Sequence, residues 1–326
     1  MFLARLTAPS TPFDPPSTLH LILSSPVKLF LRLSYRFLSS LRSPPQPPPF
    51  PIRVVCLSDT HCSIPSDVPA GDLLVHAGDL SNAGTPSELQ SQIDWLDSLP
   101  HRHKVVIAGN HDSYLDPRSR TTLAPSDQVS TLDWKSLHYL QHSPITLTFP
   151  EHDERKLTVY GAPHIPACGG GAFAFQYPRG TDAWSDTLPK DLDVLLTHAP
   201  PKYHLDLPAA LGCEWLLKEV WRVKPRLHIF GHVHAGRTGN AGREVVWWDD
   251  AQAAYERGCE RPSGWARELL DVWLWAAIAG VWWCGVQAVI WDRVWGGEAR
   301  SGVLINAALM KDNTGILGNE IQIADV

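Results

Sequence analysis

The chain contains no Cys-x-x-Cys pair. Its six cysteines, Cys56, Cys62, Cys168, Cys213, Cys259 and Cys284, follow no regular framework, which argues for reduced, structural thiols and against a disulfide scaffold. Positive charge is not in excess either. With 28 Lys and Arg against 34 Asp and Glu the formal charge is -6, so the basic stripe of a dedicated nucleic-acid binder is missing. Acidic residues are nearly absent from the first fifty positions, where Asp14 stands alone against Arg5, Lys28, Arg32, Arg36 and Arg42. An unbroken apolar leader is lacking as well, because Ser24, Ser25 and Pro26 interrupt the run and argue against a secretory signal.

What the N-terminus does contain sets it apart. Residues 1–50 hold ten of the 28 prolines, and Pro44 to Pro51 reads as a stiff, extended linker. Between the prolines, Val27 to Arg42 forms a basic amphipathic helix on paper. Lys28, Arg32 and Arg36 recur every four residues, and Leu29, Leu33, Phe37 and Leu41 do the same. Two readings stand for it: a membrane-surface anchor or mitochondrial presequence, and a disordered tail that targets nothing. The expected organisation is therefore an extension over 1–50 and one domain over 51–326.

Five stretches organise that domain: Ile52 to His61, Asp72 to Asp79, Lys104 to Asp112, Asp193 to Pro201 and Arg226 to Gly236. Each is an apolar run of strand length that ends in Asp, Asn or His. Continuous apolar runs predict strands buried on both faces, and polar groups beyond the carboxyl ends of such strands converge on ligands. His232 and His234, one residue apart, point to metal-ligand geometry, since alternate residues of an extended segment reach one side.

The order D-x-H, G-D, G-N-H-D, an isolated His after a strand, then G-H-x-H resembles the calcineurin-like metallophosphoesterase superfamily over residues 52–236. HAGDL, AGNHD, YGAP, THAPP and NAAL look most like its small metallophosphoesterase-domain-containing branch. The resemblance implies an α/β fold, a four-layer αββα sandwich of two mixed β-sheets flanked by helices. It implies that Asp59, His61, Asp79 and His234 hold one metal and that Asp79, Asn110, His198 and His232 hold a second, with Asp79 bridging. Mixed N and O donors without thiolate suit divalent or trivalent Mn, Fe, Ni or Zn rather than Ca.

Such a metal pair lowers the pKa of a shared water from about 15.7 towards about 7. The implied activity is hydrolysis of a phosphate ester by the hydroxide so formed. His111 matches the residue that in this family protonates the leaving oxygen, a role that suits an imidazole near neutral pH. One departure from the phosphoprotein phosphatases stands out: Asn82 and Ala83 replace the Asp and Arg that follow their second block. The carboxylate that would orient His111 and a phosphate-clamping guanidinium are both missing. A phosphodiester or small phosphorylated molecule is thereby favoured over a phosphoprotein. The competing reading is a membrane-associated binding or scaffolding protein with a vestigial metal site.

The rest of the chain is less explicit. Thr85, Pro86 and Glu88 cap a helix, Ile145 to Phe149 and Lys156 to Gly161 predict an antiparallel pair that starts the second sheet, and Cys213 to Trp221 predicts a short helix. Strands are expected at Arg243 to Trp248 and Ser301 to Leu309, and the last strand of the second sheet at Ile321 to Val326. In the Gly-rich loop after Gly161, His164, Phe175 and Arg179 are candidate substrate contacts. An insertion at about 250–298 includes Val272 to Trp291, twenty residues without a charge. Its length reaches the transmembrane threshold, yet a single crossing would separate strands of one domain. It reads either as an interfacial segment, given its tryptophans, or as a greasy helix packed on the domain. The expected location is intracellular, cytoplasmic or membrane-associated, with mitochondrial targeting as a further reading.

Overall fold

The computed structural model describes residues 7–11, 14–46, 48–207, 209–237, 242–312 and 314–326; Arg5 of the basic extension and Pro47 of the linker lie outside them. The chain runs through α1 (Thr18–Ser24), α2 (Pro26–Ser40), β1 (Arg53–Leu57), β2 (Leu73–Ala77), α3 (Pro86–Ser98) and β3 (His103–Ile107). Next come the short α4 (Pro117–Arg120) and α5 (Pro125–Gln128), then β4 (His138–Tyr139), β5 (Ser143–Phe149), β6 (Arg155–Ala162), β7 (Ile165–Pro166), β8 (Gln176–Tyr177) and β9 (Val194–Thr197). It ends with α6 (Glu214–Val223), β10 (Leu227–Phe230), β11 (Arg243–Val246), α7 (Asp250–Glu260), α8 (Trp265–Leu270), α9 (Val272–Arg293), β12 (Gly302–Asn306) and β13 (Gln322–Asp325).

These elements pack as two units, one of residues 47–244 with 303–326 and one of residues 1–46 with 245–302. The larger is built on two mixed sheets, β13-β1-β2-β3-β4 and β11-β12-β10-β9-β6-β5. Double-sided burial explains the continuous apolar runs of β1, β2, β3 and β9. Val54 and Cys56 enter a core shared by both sheets, with Val105, Ile107, Leu196 and Ile229. Val55 and Leu57 point the other way, onto Leu89, Ile93 and Leu96 of α3. That helix starts as its sequence dictates. Thr85 accepts a hydrogen bond from the Glu88 N–H at 3.3 Å, Pro86 occupies the first turn, and the Glu88 carboxylate accepts from the Ala83 N–H.

Parallel pairing of β1, β2 and β3, and of β6, β9 and β10, sets the carboxyl ends of each group along one edge. β5 and β6 form the expected antiparallel pair. One expectation is overturned. β13 lies in the first sheet, antiparallel to β1 with Arg53 opposite Asp325, and not in the second. An edge strand is held by main-chain hydrogen bonds, so its own side chains do not say which sheet edge it completes.

The smaller unit joins the N-terminal extension to the insertion, two parts of the chain that the sequence presents as separate additions. Val27, Leu31, Tyr35 and Leu38 of α2 share a core with Ala254 and Tyr255 of α7 and Leu274, Ile278 and Val281 of α9. The Tyr35 and Tyr255 rings stack at 4.4 Å. Glu268 accepts from the Val27 and Lys28 N–H groups at 3.0 and 3.2 Å, satisfying the open end of α2. Arg42 is buried between Asp292 and Asp249, with its guanidinium 4.2 Å from the centre of the Trp247 ring. The buried face of α2 is not the Leu29, Leu33, Phe37, Leu41 line. Leu33, Phe37 and Leu41 are exposed.

Candidate metal centre

Tight turns deliver the polar residues at the strand ends. Asp59 and His61 after β1, Asp79 after β2 and His232 after β10 have φ of 53°, 46°, 55° and 64°. That left-handed region costs a non-glycine residue about 1–3 kcal/mol and is populated at functional sites. Crowding explains an adjacent glycine. A Cβ on Gly109 would strike the Asp79 backbone and carboxylate and the His198 ring.

The seven ligand-type residues named from the sequence meet in one place. His234 Nε2 lies 3.1 Å from Asp59 Oδ1. His198 Nε2 is 3.1 Å from Asn110 Oδ1 and 3.4 Å from Asp79 Oδ2. His61 Nε2 is 3.7 Å from Asp79 Oδ2. The His198 and His232 ring centres are 5.1 Å apart. Three overlapping groups, Asp59/His61/His234, Asp59/Asp79/His198 and His61/Asp79/His111, each bring their ligand atoms within 4.8 Å of one another.

Main-chain carbonyls set the ring orientations. His198 Nδ1 donates to the Ala77 oxygen and His234 Nδ1 to the Asp312 oxygen, both at 2.8 Å. A carbonyl only accepts, so the proton sits on Nδ1 and Nε2 faces the carboxylates, the arrangement common to metal-binding histidines. Burial pushes the Asp59 carboxyl up, but His234 and His198 outweigh it and hold the group well below the usual carboxylate range. Asp79 is held low in the same way, by His198, His61 and His111 against burial. In return Asp79 and Asp59 overcome the burial of His198 and push it up to about 9. Burial dominates at His232, which is pushed down to about 3.

These residues fit a cation. Two ionised carboxylates, Asp59 and Asp79, are buried side by side, and His61 Nε2 is buried with no hydrogen-bond partner. A metal ion would compensate the first and fill the second, replacing the proton that otherwise keeps His198 charged.

Two features were not visible in the sequence reading. Asp112, last residue of the G-N-H-D block, is fully buried and ties the β2 and β3 turns together. Its carboxylate accepts from the N–H groups of Leu80, Ser81 and Gly109 and from the Ser81 hydroxyl. The signal was a carboxylate-type residue closing the G-N-H-D block, a few positions beyond an apolar strand. The orientation of His111 is the second. Its Nδ1 donates to the Asn82 carbonyl at 2.9 Å, so a main-chain oxygen supplies the orientation for which the sequence, with Asn82 in place of Asp, offers no carboxylate. The Asn82 side chain instead donates to the His61 oxygen.

The three candidate substrate contacts have the following neighbours. Phe175 is buried with Ala108 and Ala174, and its N–H bonds Asp116. His164 packs on His142 and Phe175. Arg179 donates to the Ala167 and Leu211 oxygens. In that loop the Phe173 ring centre is 5.0 Å from that of His111, and the Ala174 N–H donates to the Asn110 carbonyl at 2.8 Å.

The model of the calcineurin-like phosphoesterase family matches residues 52–236, more than half of the chain. The chain is 44% identical over 260 residues to a protein of Emericella nidulans named probable rhamnogalacturonate lyase C, covering 79% of this chain and 23% of that one. It is 39% identical over 209 residues to human metallophosphoesterase domain-containing protein 1, covering 59% and 63%. A UPF0046 protein of Caenorhabditis elegans, C25E10.12, is 34% identical over 194 residues, covering 56% and 69%. The chain thus spans about a quarter of the first relative's length and less than two thirds of the human protein's.

Proposed function

Since this chain belongs to the calcineurin-like phosphoesterase family, we propose that it hydrolyses a phosphate ester, a phosphodiester or a small phosphorylated molecule, with two metal ions. The observation that carries the reading is the pair of buried, ionised carboxylates, Asp59 and Asp79, ringed by histidines and lying against the unpartnered Nε2 of His61. Asp59, His61, Asp79 and His234 would hold one ion; Asp79, Asn110, His198 and His232 would hold the other. Bound Mn, Fe, Ni or Zn ions would supply Lewis-acid charge at the phosphoryl oxygens and acidify a water.

The chain's own groups do the rest. The Ala77 and Asp312 carbonyls keep Nε2 of His198 and His234 aimed inward. His111, held through Nδ1 by the Asn82 carbonyl, keeps Nε2 for a proton given to the leaving oxygen. Ala83 stands where a phosphate-clamping arginine would be, and its N–H is engaged by Glu88, which supports a diester or small substrate over a phosphoprotein. In this reading the protein acts inside the cell, in the cytoplasm or at a membrane surface.

The test is elemental analysis of protein purified without chelator, followed by a screen of phosphomonoesters, cyclic nucleotides and phosphodiesters with added Mn. Between one and about two metal equivalents and hydrolysis of at least one class are expected. Folded protein that takes up no metal sinks the reading.

A further inference from the structure

The smaller unit leaves exposed what a water-soluble unit buries. Of the 22 residues of α9, only Asp292 and Arg293 are charged, and Asp292 is buried against Arg42. A helix apolar all round belongs in a core or a membrane, yet Trp273 and Trp283 are 68% and 70% exposed. α2 is apolar on two sides. Its Leu31 side packs on α7 and α9, while Phe30, Leu33, Phe37 and Leu41 are exposed. The exposed stripes of α2 and α9 are continuous, because Phe37 meets Trp282 at 6.2 Å and Trp282 Nε1 donates to Ser34 Oγ.

We propose that this α2–α9 face docks on an anionic lipid bilayer, lying in its surface without crossing it. Tryptophan chemistry is one reason to choose lipid. The indoles from Trp273 to Trp291 spread over about 27 Å of helix, and indole rings prefer the headgroup level. The N–H groups of Trp275 and Trp282 are already satisfied by the Leu269 carbonyl and Ser34, so apolar surroundings leave neither donor stranded.

Charge is the second reason. The charged residues of α2 are Lys28, Arg32 and Arg36, all basic. Three acids of the unit are engaged within it: Glu268 caps α2, Asp271 caps α9 and Asp292 pairs with Arg42. The charges that α2 carries beside its exposed apolar stripe are thus of the sign that anionic headgroups attract. A crossing is set aside by the covalent path, since the segment holding α9 leaves from β11 and returns to β12, neighbours in one sheet.

The full chain is tested by flotation with phosphatidylcholine vesicles, with and without phosphatidylserine. Binding is expected, tighter with phosphatidylserine. Leu33→Glu and Trp283→Glu, both at exposed positions, are expected to keep the native melting temperature and to weaken binding about tenfold or more each. Arg36→Gln is expected to weaken binding about fivefold, and only to the anionic vesicles. Bromine-labelled acyl chains should quench the native protein's tryptophan fluorescence, which reads the contact without any substitution. A native chain that floats with neither vesicle overturns the proposal, as do unchanged binding by both Glu variants and absence of quenching in the bound protein. A dimer that Trp283→Glu dissolves, with no vesicle binding, assigns the face to a second copy instead. None of these outcomes depends on the hydrolase reading.

Discussion

His111 Nδ1 donates to the main-chain oxygen of Asn82 at 2.9 Å. A side chain is therefore not needed at position 82 to orient the imidazole, and that relationship separates two substitutions. His111→Ala is expected to lower kcat about 10²–10⁴-fold with metal content unchanged, because the ring acts on the reaction and not on assembly. Asn82→Ala keeps the carbonyl and loses only the bond to the His61 oxygen, so its kcat should fall less than about tenfold, the effect of one modest hydrogen bond. Metal analysis beside steady-state kinetics checks both; loss of metal in His111→Ala would make His111 a ligand.

Asp79→Asn should cost more metal than loss of any other single ligand, since Asp79 approaches both His61 and His198. Chelation of the native protein should lower its melting temperature, because a metal held by the folded chain stabilises it by mass action, and without it only protonated histidines such as His198 offset the buried Asp59 and Asp79. Elemental analysis and calorimetry with and without chelator are the measurements.

Asp112→Asn should destabilise the protein by about 2–3 kcal/mol. The carboxylate accepts from four donors through two oxygens, and an amide has one oxygen and sets an NH₂ against the other donors. Urea unfolding followed by circular dichroism reads this directly.

Stability should fall in acid between pH 6.5 and about 3, through two buried histidines. His228 Nε2 donates to Thr197 and His76 Nε2 bonds Thr60; each ring's Nδ1 is buried without a partner. Burial pushes both down to about 3. Below pH 6.5 the unfolded chain binds protons that the folded one refuses, so stability is present above the unfolded pKa and lost as pH falls, by about 2 kcal/mol per histidine at pH 5. Unfolding curves across that range should show the slope, and His228→Gln should reduce it.

Arg42→Met should destabilise the smaller unit by about 3–5 kcal/mol, since Asp292 would remain buried without its partner. Adding Asp292→Leu should restore most of the loss. Unfolding monitored by tryptophan fluorescence suits this unit, which carries Trp247 and the indoles of α9. Without restoration in the double variant, the ion pair is not what Arg42 contributes.

Which residues gather at the centre was legible in the chain alone. Metal-type side chains at the ends of apolar strands are a local pattern, and parallel pairing brings such ends together whatever the loops between them do. Also legible there were the cap of α3 and the β5–β6 pair, which depend on neighbouring residues alone. That the Asn82 carbonyl orients His111 emerges in the folded molecule alone, because a backbone oxygen has no letter in the sequence. Only the fold placed β13 beside β1, since main-chain hydrogen bonds complete whichever edge is open. The face that α2 buries was likewise undecided until α7 and α9 met it. A helix with apolar residues on two sides offers both equally, and the partner that removes one from water lies more than two hundred residues further along the chain.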